Sequence, residues 1–189
     1  MSRIAKNIPA QKTEAYRNFI EWLTTGSWER REGPFKAYRV HPELGLRVNG
    51  INGILRNEGT IPPRVREVVI LTNAKHWETP FEWFAHEKIA LEAGLDPKAL
   101  ARLAAGKVPK FKNADENAAY ELCREFLETK FVRNATFARA RKQLGDKGLL
   151  EAITTLGFYT TLSFIINGYE IAMPKGAKTP LKTRSKRAR

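Results

Sequence analysis

The chain has 189 residues, of which 42% are hydrophobic, and a formal net charge of +13. This length favours one domain with a core of its own over two small ones. Cys123 is the only cysteine, which excludes an intrachain disulfide, a cysteine-rich zinc site and a two-cysteine redox couple within one chain. Cys123 lies in a run with helical spacing, and we interpret its thiol as part of the core.

The sequence contains no segment that predicts membrane insertion. The most apolar stretch, residues 153–166, is shorter than the roughly 20 residues of a spanning helix and is rich in threonine. The first residues include Arg3, Lys6 and Pro9 but no apolar run typical of a secretory signal. We therefore expect a cytoplasmic protein with no membrane partner.

The positive charge is concentrated at the end of the chain. Residues 175–189 contain seven Lys or Arg and no acidic residue, and they are rich in Pro, Gly, Ser and Thr. A segment of this composition buries too little apolar surface to offset the entropy lost on ordering. We predict a single helical domain over residues 1–174 and a disordered basic tail over residues 175–189.

The first half of the chain predicts four helices. Residues 9–26 place apolar side chains at helical spacing. A looser segment with a break at Gly33-Pro34 follows, and residues 41–59 form the second helical run. The third helix covers residues 62–77 and begins with two prolines, which fix the backbone angle that a helix start requires. The fourth covers residues 81–93 and ends before a glycine.

The second half predicts four more helices. Capping residues begin the first three of them, over residues 98–105, 113–130 and 134–144. A turn follows, and the last helix covers residues 149–169. That helix is apolar nearly all round, which predicts burial inside the domain or against another subunit. No segment alternates with the period of a strand, so the predicted fold class is all-α.

Ionisable groups lie on the apolar faces of the third and fourth helices. Glu82 and His86 are four residues apart in the fourth helix, so they share one face. Glu67 begins the interior face of the third helix, and the short connection between the two helices makes them packing neighbours. We predict that Glu67, Glu82 and His86 form an acid–base cluster.

Two other interpretations of this cluster follow from spacing alone. Glu82 and His86 could form only a side-chain pair on a helix, which contributes roughly a few tenths of a kcal/mol. One His and two Glu could hold a cation, but the run lacks the two-histidine signature of a zinc or iron helix. We predict that the site contains no metal and no cofactor.

A longer motif surrounds the cluster. It consists of Pro62-Pro63-Arg64-Val65-Arg66-Glu67, His76-Trp77, Glu82-Trp83, His86 and Ala93-Gly94-Leu95. This motif resembles the core of the carboxymuconolactone decarboxylase family, to which the alkylhydroperoxidase D proteins are related. The resemblance extends over about residues 35–174. It implies an alkylhydroperoxidase D-like helical bundle that assembles as a trimer or hexamer.

The redox branch of that family has Glu, Cys, Cys and His in a spacing that falls here on Glu67, Thr79, Glu82 and His86. Thiol peroxidase chemistry needs one thiolate to attack the peroxide and a second thiol to resolve the product. Threonine and glutamate can do neither. We therefore predict that the protein is not a thiol peroxidase.

The decarboxylase branch, which also lacks the cysteine pair, implies a different activity. It suggests a cofactor-independent lyase that releases CO₂ from a small carboxylated lactone or a related product of aromatic breakdown. In this interpretation His86 gives or takes the proton at carbon, since an unperturbed imidazole titrates near neutral pH. Glu67 orients the imidazole or acts as a partner base. Glu82 lies closest to the substrate or shares a proton with Glu67.

Further residues of the motif are candidates for substrate binding. Arg64, Arg66 and Lys75 are candidate cations for a substrate carboxylate. For the aromatic candidates, a place in the core is the stronger alternative, because indole and phenol rings are usually buried. The predicted substrate-binding residues are His76, Trp77, Thr79, Trp83 and Tyr159.

Two alternative functions stay open. The same scaffold could serve an isomerase or a carbon–carbon lyase, because one fold hosts several chemistries. The basic tail could instead make the chain a non-enzymatic binder of nucleic acid or of an acidic partner, with affinity that falls steeply with salt. The tail has no aromatic residues for base stacking, so we expect a small-molecule substrate and further copies of the chain as partners, and no nucleic acid.

Overall fold

The computed structural model describes residues 3–4 and 13–182, and every regular element in this part of the chain is helical. The all-α prediction is confirmed. A 3₁₀ helix covers Pro34–Val40 and a π-helical turn covers Ile54–Glu58. The α-helices are α1 (Glu14–Thr24), α2 (Trp28–Glu32), α3 (Pro42–Gly53), α4 (Pro63–His76), α5 (Pro80–Glu92), α6 (Pro97–Ala104), α7 (Ala114–Thr129) and α8 (Asn134–Gly168).

The helices α4 to α7 begin and end within one or two residues of the predicted positions. Their starts contain local signals that do not depend on the rest of the fold. The Asp96 carboxylate accepts from Lys98 N at 2.8 Å before α6, and the Glu116 carboxylate accepts from Asn113 N at 3.1 Å before α7. Such caps satisfy amide groups that have no partner inside the helix.

Of two predictions for the N-terminal region, one is corrected by the structure and the other lies partly outside the described residues. The segment expected to be loose contains α2 and the 3₁₀ helix, because Ser27 caps α2 through its hydroxyl, which accepts from Arg30 N at 3.4 Å. Helices this short show no apolar period in the sequence. The predicted start of the first helix at residue 9 lies outside the described residues, within which α1 begins after Thr13.

The last two predicted helices form one 35-residue segment, α8, with a break at Gly145. The break has φ of 71° and ψ of 174° at Gly145, a left-handed φ that glycine adopts without a steric penalty. By length and composition alone, α8 is apolar enough to cross a membrane, a property that core helices of soluble proteins share. The expected absence of a membrane partner stays a prediction.

The chain divides into two compact units, one of Met1–Glu58 with Phe164–Ala172 and one of Gly59–Ser163 with Met173–Arg189. A division by packing does not test whether a unit folds alone, so the single domain of residues 1–174 stays a prediction. In the described part of the first unit, aromatic residues form much of the core. The rings of Trp22 and Phe35 meet edge to face at 5.1 Å.

The second unit has α4 at its centre, with all residues from Val65 to Ala74 buried. Its core includes side chains of α4 to α8. Two amide groups before α4 donate to the Glu151 carboxylate of α8, from Thr60 N at 2.6 Å and from Ile61 N at 3.0 Å. This carboxylate therefore attaches the start of α4 to α8 inside the unit.

Part of the predicted basic tail belongs to this second unit. Leu181 is buried and packs in its hydrophobic core, a contact that the polar composition of the segment did not indicate. Residues 183–189 lie outside the described residues. Disorder of the tail therefore stays a prediction for those residues.

Candidate functional site

Glu67 lies in a part of α4 that has no exposed side. It is 0% exposed, and its neighbours along the helix are buried as well. A carboxylate in such a place needs compensating cations or hydrogen-bond donors, because burial of an unpaired charge is strongly unfavourable. The partners of Glu67 therefore decide what this position can do.

The turn between α4 and α5 brings those partners to Glu67. Thr79 uses both its amide and its hydroxyl to donate to Ala74 O, at 2.9 Å and 3.2 Å. Glu78 takes a left-handed conformation with φ of 47°, as residues just after a helix often do. The chain reverses within three residues, and α5 packs against α4 as predicted.

His86 lies between two carboxylates. Its Nδ1 is 2.6 Å from Glu67 Oε2, and its Nε2 is 3.2 Å from Glu82 Oε1. His86 is 5% exposed and Glu82 is 3% exposed. The structure thus groups Glu67, Glu82 and His86 as the sequence predicted, and their catalytic role stays a prediction.

The two carboxylates determine the charge of the imidazole. Burial lowers the pKa of His86, but the carboxylates of Glu67 and Glu82 outweigh this effect and raise that pKa from 6.5 to about 9. The unperturbed pKa of an imidazole, on which the sequence-based role of His86 relied, therefore does not apply at this position. At pH 7 the ring is an imidazolium whose two N–H groups each face a carboxylate.

Arg66 places a second buried cation at the cluster. Its Nε is 3.6 Å from Glu67 Oε1, the carboxylate oxygen that does not face His86, and the residue is 8% exposed. The side chains Arg66, Glu67, His86 and Glu82 thus form a row of alternating positive and negative charges. The row has no net charge when His86 is protonated.

The neighbouring arginine has a different environment. Arg64 Nη2 is 2.7 Å from Asp115 Oδ2, and Arg64 Nε is 3.4 Å from Glu116 Oε1. Arg64 therefore attaches α4 to the start of α7. Of these two candidate cations for a substrate carboxylate, Arg66 is the one that contacts the cluster.

Tyr159 of α8 contacts the imidazole ring. The rings of Tyr159 and His86 meet edge to face, with centroids 5.2 Å apart and planes at 88°. Tyr159 also packs with Ile70 and Leu162 in a small apolar cluster. Tyr159 therefore contacts the cluster through His86, and its role in binding substrate stays a prediction.

The other predicted substrate-binding residues have mainly structural surroundings. His76 is exposed, and its ring packs edge to face on Trp77 at 4.9 Å. Trp83 is fully buried in the main hydrophobic core, and the Thr79 hydroxyl is used within the turn. A role of these four residues in binding substrate stays a prediction.

A buried polar network in the second unit was not predicted. Asn73 Nδ2 donates to Ser163 Oγ at 2.9 Å, and Asn73 Oδ1 accepts from the Thr160 hydroxyl at 2.8 Å. Asn73 and Ser163 are fully buried. Because Thr160 directly follows Tyr159 and Ser163 lies one turn later in α8, this network holds the segment that presents Tyr159 against α4. An asparagine three residues after Ile70 on an apolar helix was the signal available in the sequence.

The surroundings of the cysteine agree with the interpretation of a core thiol. Cys123 is 0% exposed, and burial raises the pKa of its thiol. In the described part of the chain, no group of three or more His, Cys, Asp or Glu is arranged to hold a metal ion. The prediction of a site without metal or cofactor stays a prediction.

No protein-family model and no curated protein sequence matches the chain. Among solved structures, it is similar to the crystal structure of an uncharacterized peroxidase-related protein from Silicibacter sp. TM1040. The TM-score is 0.71 at 12% sequence identity, over 90% of this chain and 91% of that chain. At such low identity the likeness shows the fold alone. The predicted alkylhydroperoxidase D-like bundle is confirmed at that level.

Proposed function

We propose that this protein is a cofactor-independent acid–base enzyme of the carboxymuconolactone decarboxylase kind. Its proposed reaction is the release of CO₂ from a small carboxylated lactone or a related product of aromatic breakdown. The proposed substrate class is based on the resemblance of the motif around Glu67 and His86. The proposed acid–base chemistry is based on the charges and contacts of these side chains in the structure. The observation that carries the proposal is a buried imidazolium held between two carboxylates.

The energetics of the cluster support a functional role. Burying several charged groups together is often no more stabilising than burying apolar residues of the same size. Side chains with strongly shifted pKa values inside a fold are therefore candidates for a functional site. With a pKa of about 9, His86 holds its proton at neutral pH and makes the cluster a proton donor.

The proposed reaction needs one proton from the protein. Loss of CO₂ breaks a carbon–carbon bond and leaves its electron pair on carbon, where a conjugated lactone carbonyl delocalises it. A proton from the cluster then forms the new C–H bond, and water returns a proton to the cluster. The imidazolium of His86 is the proposed donor, Glu67 orients it, and Tyr159 contacts its ring.

Thiol peroxidase chemistry is not proposed, although the similar solved structure is described as peroxidase-related. The positions of the two redox cysteines contain Thr79 and Glu82 in this sequence. Cys123 is fully buried, and the raised pKa of its thiol disfavours the reactive thiolate.

We also propose a cytoplasmic homo-oligomer, a trimer or hexamer as the motif implies. Large apolar side chains at the surface of the second unit support association with further copies. Phe131 is 71% exposed and Leu150 is 65% exposed. Light scattering on the purified full-length chain would measure the assembly size.

The test is a screen of carboxylated lactones and related aromatic-catabolism acids for CO₂ release. His86→Ala and Glu67→Gln should each lower turnover by at least about 100-fold while helix content and assembly stay unchanged. His41→Gln is the matched control, because His41 is an exposed histidine at the start of α3, and it should keep full activity. Wild-type turnover in both cluster variants would remove the cluster from the mechanism.

The isomerase alternative gives a different result in the same screen. NMR in D₂O would detect exchange of carbon-bound protons of each candidate substrate. Exchange without release of CO₂ indicates an isomerase-like proton shuttle, and release of CO₂ indicates the lyase.

A further inference from the structure

Thr155 differs from neighbouring threonines of α8 in the use of its hydroxyl group. Thr154 and Thr161 each donate to the carbonyl oxygen four residues earlier, at 2.8 Å and 3.3 Å, which is a common bond of a threonine inside a helix. Thr155 is 0% exposed, and its hydroxyl has no hydrogen-bond partner among the described residues. The Thr155 hydroxyl is therefore a buried polar group that the fold itself does not use.

Such a hydroxyl is unfavourable for the free protein. Burial removes its bonds to water, and without a partner nothing compensates for this loss. Valine has nearly the same shape as threonine and no polar group, so it would occupy the position without that cost. The presence of a threonine is explained if its hydroxyl binds a ligand.

Thr155 lies close to the cluster around His86. It is one helical turn before Tyr159, so the two side chains share a face of α8. Aromatic side chains in a helix extend over the preceding turn, which brings the Tyr159 ring towards Thr155. The same ring contacts His86, with centroids 5.2 Å apart. Thr155 and His86 are therefore both placed beside the Tyr159 ring.

Two hydrogen bonds determine the level of this hydroxyl along α4. Glu151, one turn earlier in α8, accepts from Ile61 N at 3.0 Å, just before α4 begins. Thr160, further along α8, bonds to Asn73 Oδ1 at 2.8 Å, near the end of α4. The two helices therefore run side by side in the same direction. Glu67 lies midway between these two contacts on α4, at about the level of the hydroxyl.

We propose that the Thr155 hydroxyl is a substrate-binding group that donates a hydrogen bond to the carbonyl oxygen of a lactone acid. The proposal rests on the proposed acid–base function. The ester and carboxylate oxygens of an ionised lactone acid are acceptors, so a hydroxyl pairs with them only by donating. Its place beside the ring that contacts His86 puts this donor next to the proposed proton donor.

The bond from Thr155 strengthens during the proposed reaction. When the carbon–carbon bond to CO₂ breaks, its electron pair moves towards the lactone carbonyl oxygen. A hydrogen bond to that oxygen becomes stronger as negative charge develops on it. The Thr155 O–H bond stays intact. The proton of the new C–H bond comes from the His86 imidazolium, and water returns a proton to the ring.

The first experiment measures binding of paraconate, a saturated lactone acid. Paraconate has no conjugated path for the electron pair that loss of CO₂ would leave, so it binds without reacting. In calorimetry on the full-length chain, Thr155→Val should weaken its binding by about five- to tenfold, the effect of losing one neutral hydrogen bond. Thr155→Ser keeps the hydroxyl and should keep the wild-type affinity. Equal affinity of the wild type and Thr155→Val overturns the proposal, as does a wild type that does not bind paraconate.

Thr72 provides the matched control for this experiment. It is 5% exposed, and its hydroxyl also has no hydrogen-bond partner within the described part of the chain. It is five residues after Glu67, so it lies on a different face of α4. Thr72→Val should leave the affinity for paraconate unchanged. An equal loss of affinity in Thr72→Val and Thr155→Val would contradict a specific role of Thr155.

Urea unfolding without ligand tests whether the Thr155 hydroxyl has a structural partner. Thr155→Val should raise the urea midpoint or leave it unchanged, because the variant loses no hydrogen bond and removes a buried polar group. Ser163→Ala removes a hydroxyl that is paired with Asn73 at 2.9 Å and should lower the midpoint. A lower midpoint in Thr155→Val indicates a structural bond and overturns the proposal.

Kinetics with a substrate found in the screen separate this proposal from the proposed function. Thr155→Val should lower kcat by about tenfold or more, and Thr155→Ser should recover most of the loss. If CO₂ is released and Thr155→Val keeps the wild-type affinity and turnover, the assignment of Thr155 fails and the function stands. If no candidate releases CO₂ but paraconate binding depends on the Thr155 hydroxyl, the function fails and the binding site stands.

Discussion

Raising the pH from 6.5 to 9 should destabilise the folded protein through His86. The unfolded imidazole has a pKa of about 6.5, and the folded one has a pKa of about 9. Because the folded state holds the proton more tightly, the stabilisation is complete below the unfolded pKa and is lost as the pH rises through the folded pKa. The difference corresponds to roughly 3 kcal/mol in the free energy of unfolding.

Urea unfolding followed by circular dichroism at pH 6, 7, 8 and 9 measures this loss. Other groups with shifted pKa values titrate mostly outside that range. Burial lowers the pKa of His76, and the Glu128 carboxylate offsets only part of this effect. Burial raises the pKa of Tyr38 and is the largest influence raising that of Tyr120. The slope between pH 6.5 and 9 therefore reports mainly on His86.

The double variant Glu67→Gln with Glu82→Gln is the matched control. Without the carboxylates only burial acts on His86, and burial lowers its pKa. The sign of the dependence then reverses, because stability increases as the pH rises towards about 6.5 and is constant above that value. A wild-type free energy of unfolding that does not change between pH 6.5 and 9 would refute the reasoning, as would a double variant with the wild-type slope.

Three further predictions concern other parts of the chain. Asn73→Ala should lower the free energy of unfolding by about 2–3 kcal/mol, because it removes the partner of the buried Ser163 hydroxyl and one of the two bonds of the Thr160 hydroxyl. Ser163→Ala should lower it by about 1 kcal/mol; urea unfolding at pH 7 measures both, and equal losses would contradict the network. Glu78→Gly should raise the free energy of unfolding by about 0.5–1 kcal/mol in the same assay, because glycine removes the strain of a positive φ; a loss of stability would contradict it. The full chain should show no affinity for DNA or RNA at 150 mM salt in a fluorescence titration, and deletion of residues 183–189, which retains Leu181, should change nothing. Salt-dependent binding that disappears on this deletion would support the tail as a nucleic-acid binder.

Local signals in the sequence predicted the helices of the second unit well. Proline at the first turn of α4 and α5, and caps at Asp96 and Asn113, determine helix starts through contacts within a few residues. The grouping of Glu67 with Glu82 and His86 was predictable for the same reason. Residues four apart on a helix share a face, and a short turn makes consecutive helices neighbours.

The protonation of the imidazole and the identity of its other neighbours were decided only by the tertiary structure. The pKa of His86 depends on two carboxylate distances and on burial, which no spacing rule provides. The contact of Tyr159 with His86, and the bonds of Asn73 to the same helix, join α8 to helices far away in the sequence. Interactions within a few residues follow from backbone geometry, whereas interactions between distant segments depend on how whole helices pack, and electrostatic energies change steeply with those distances.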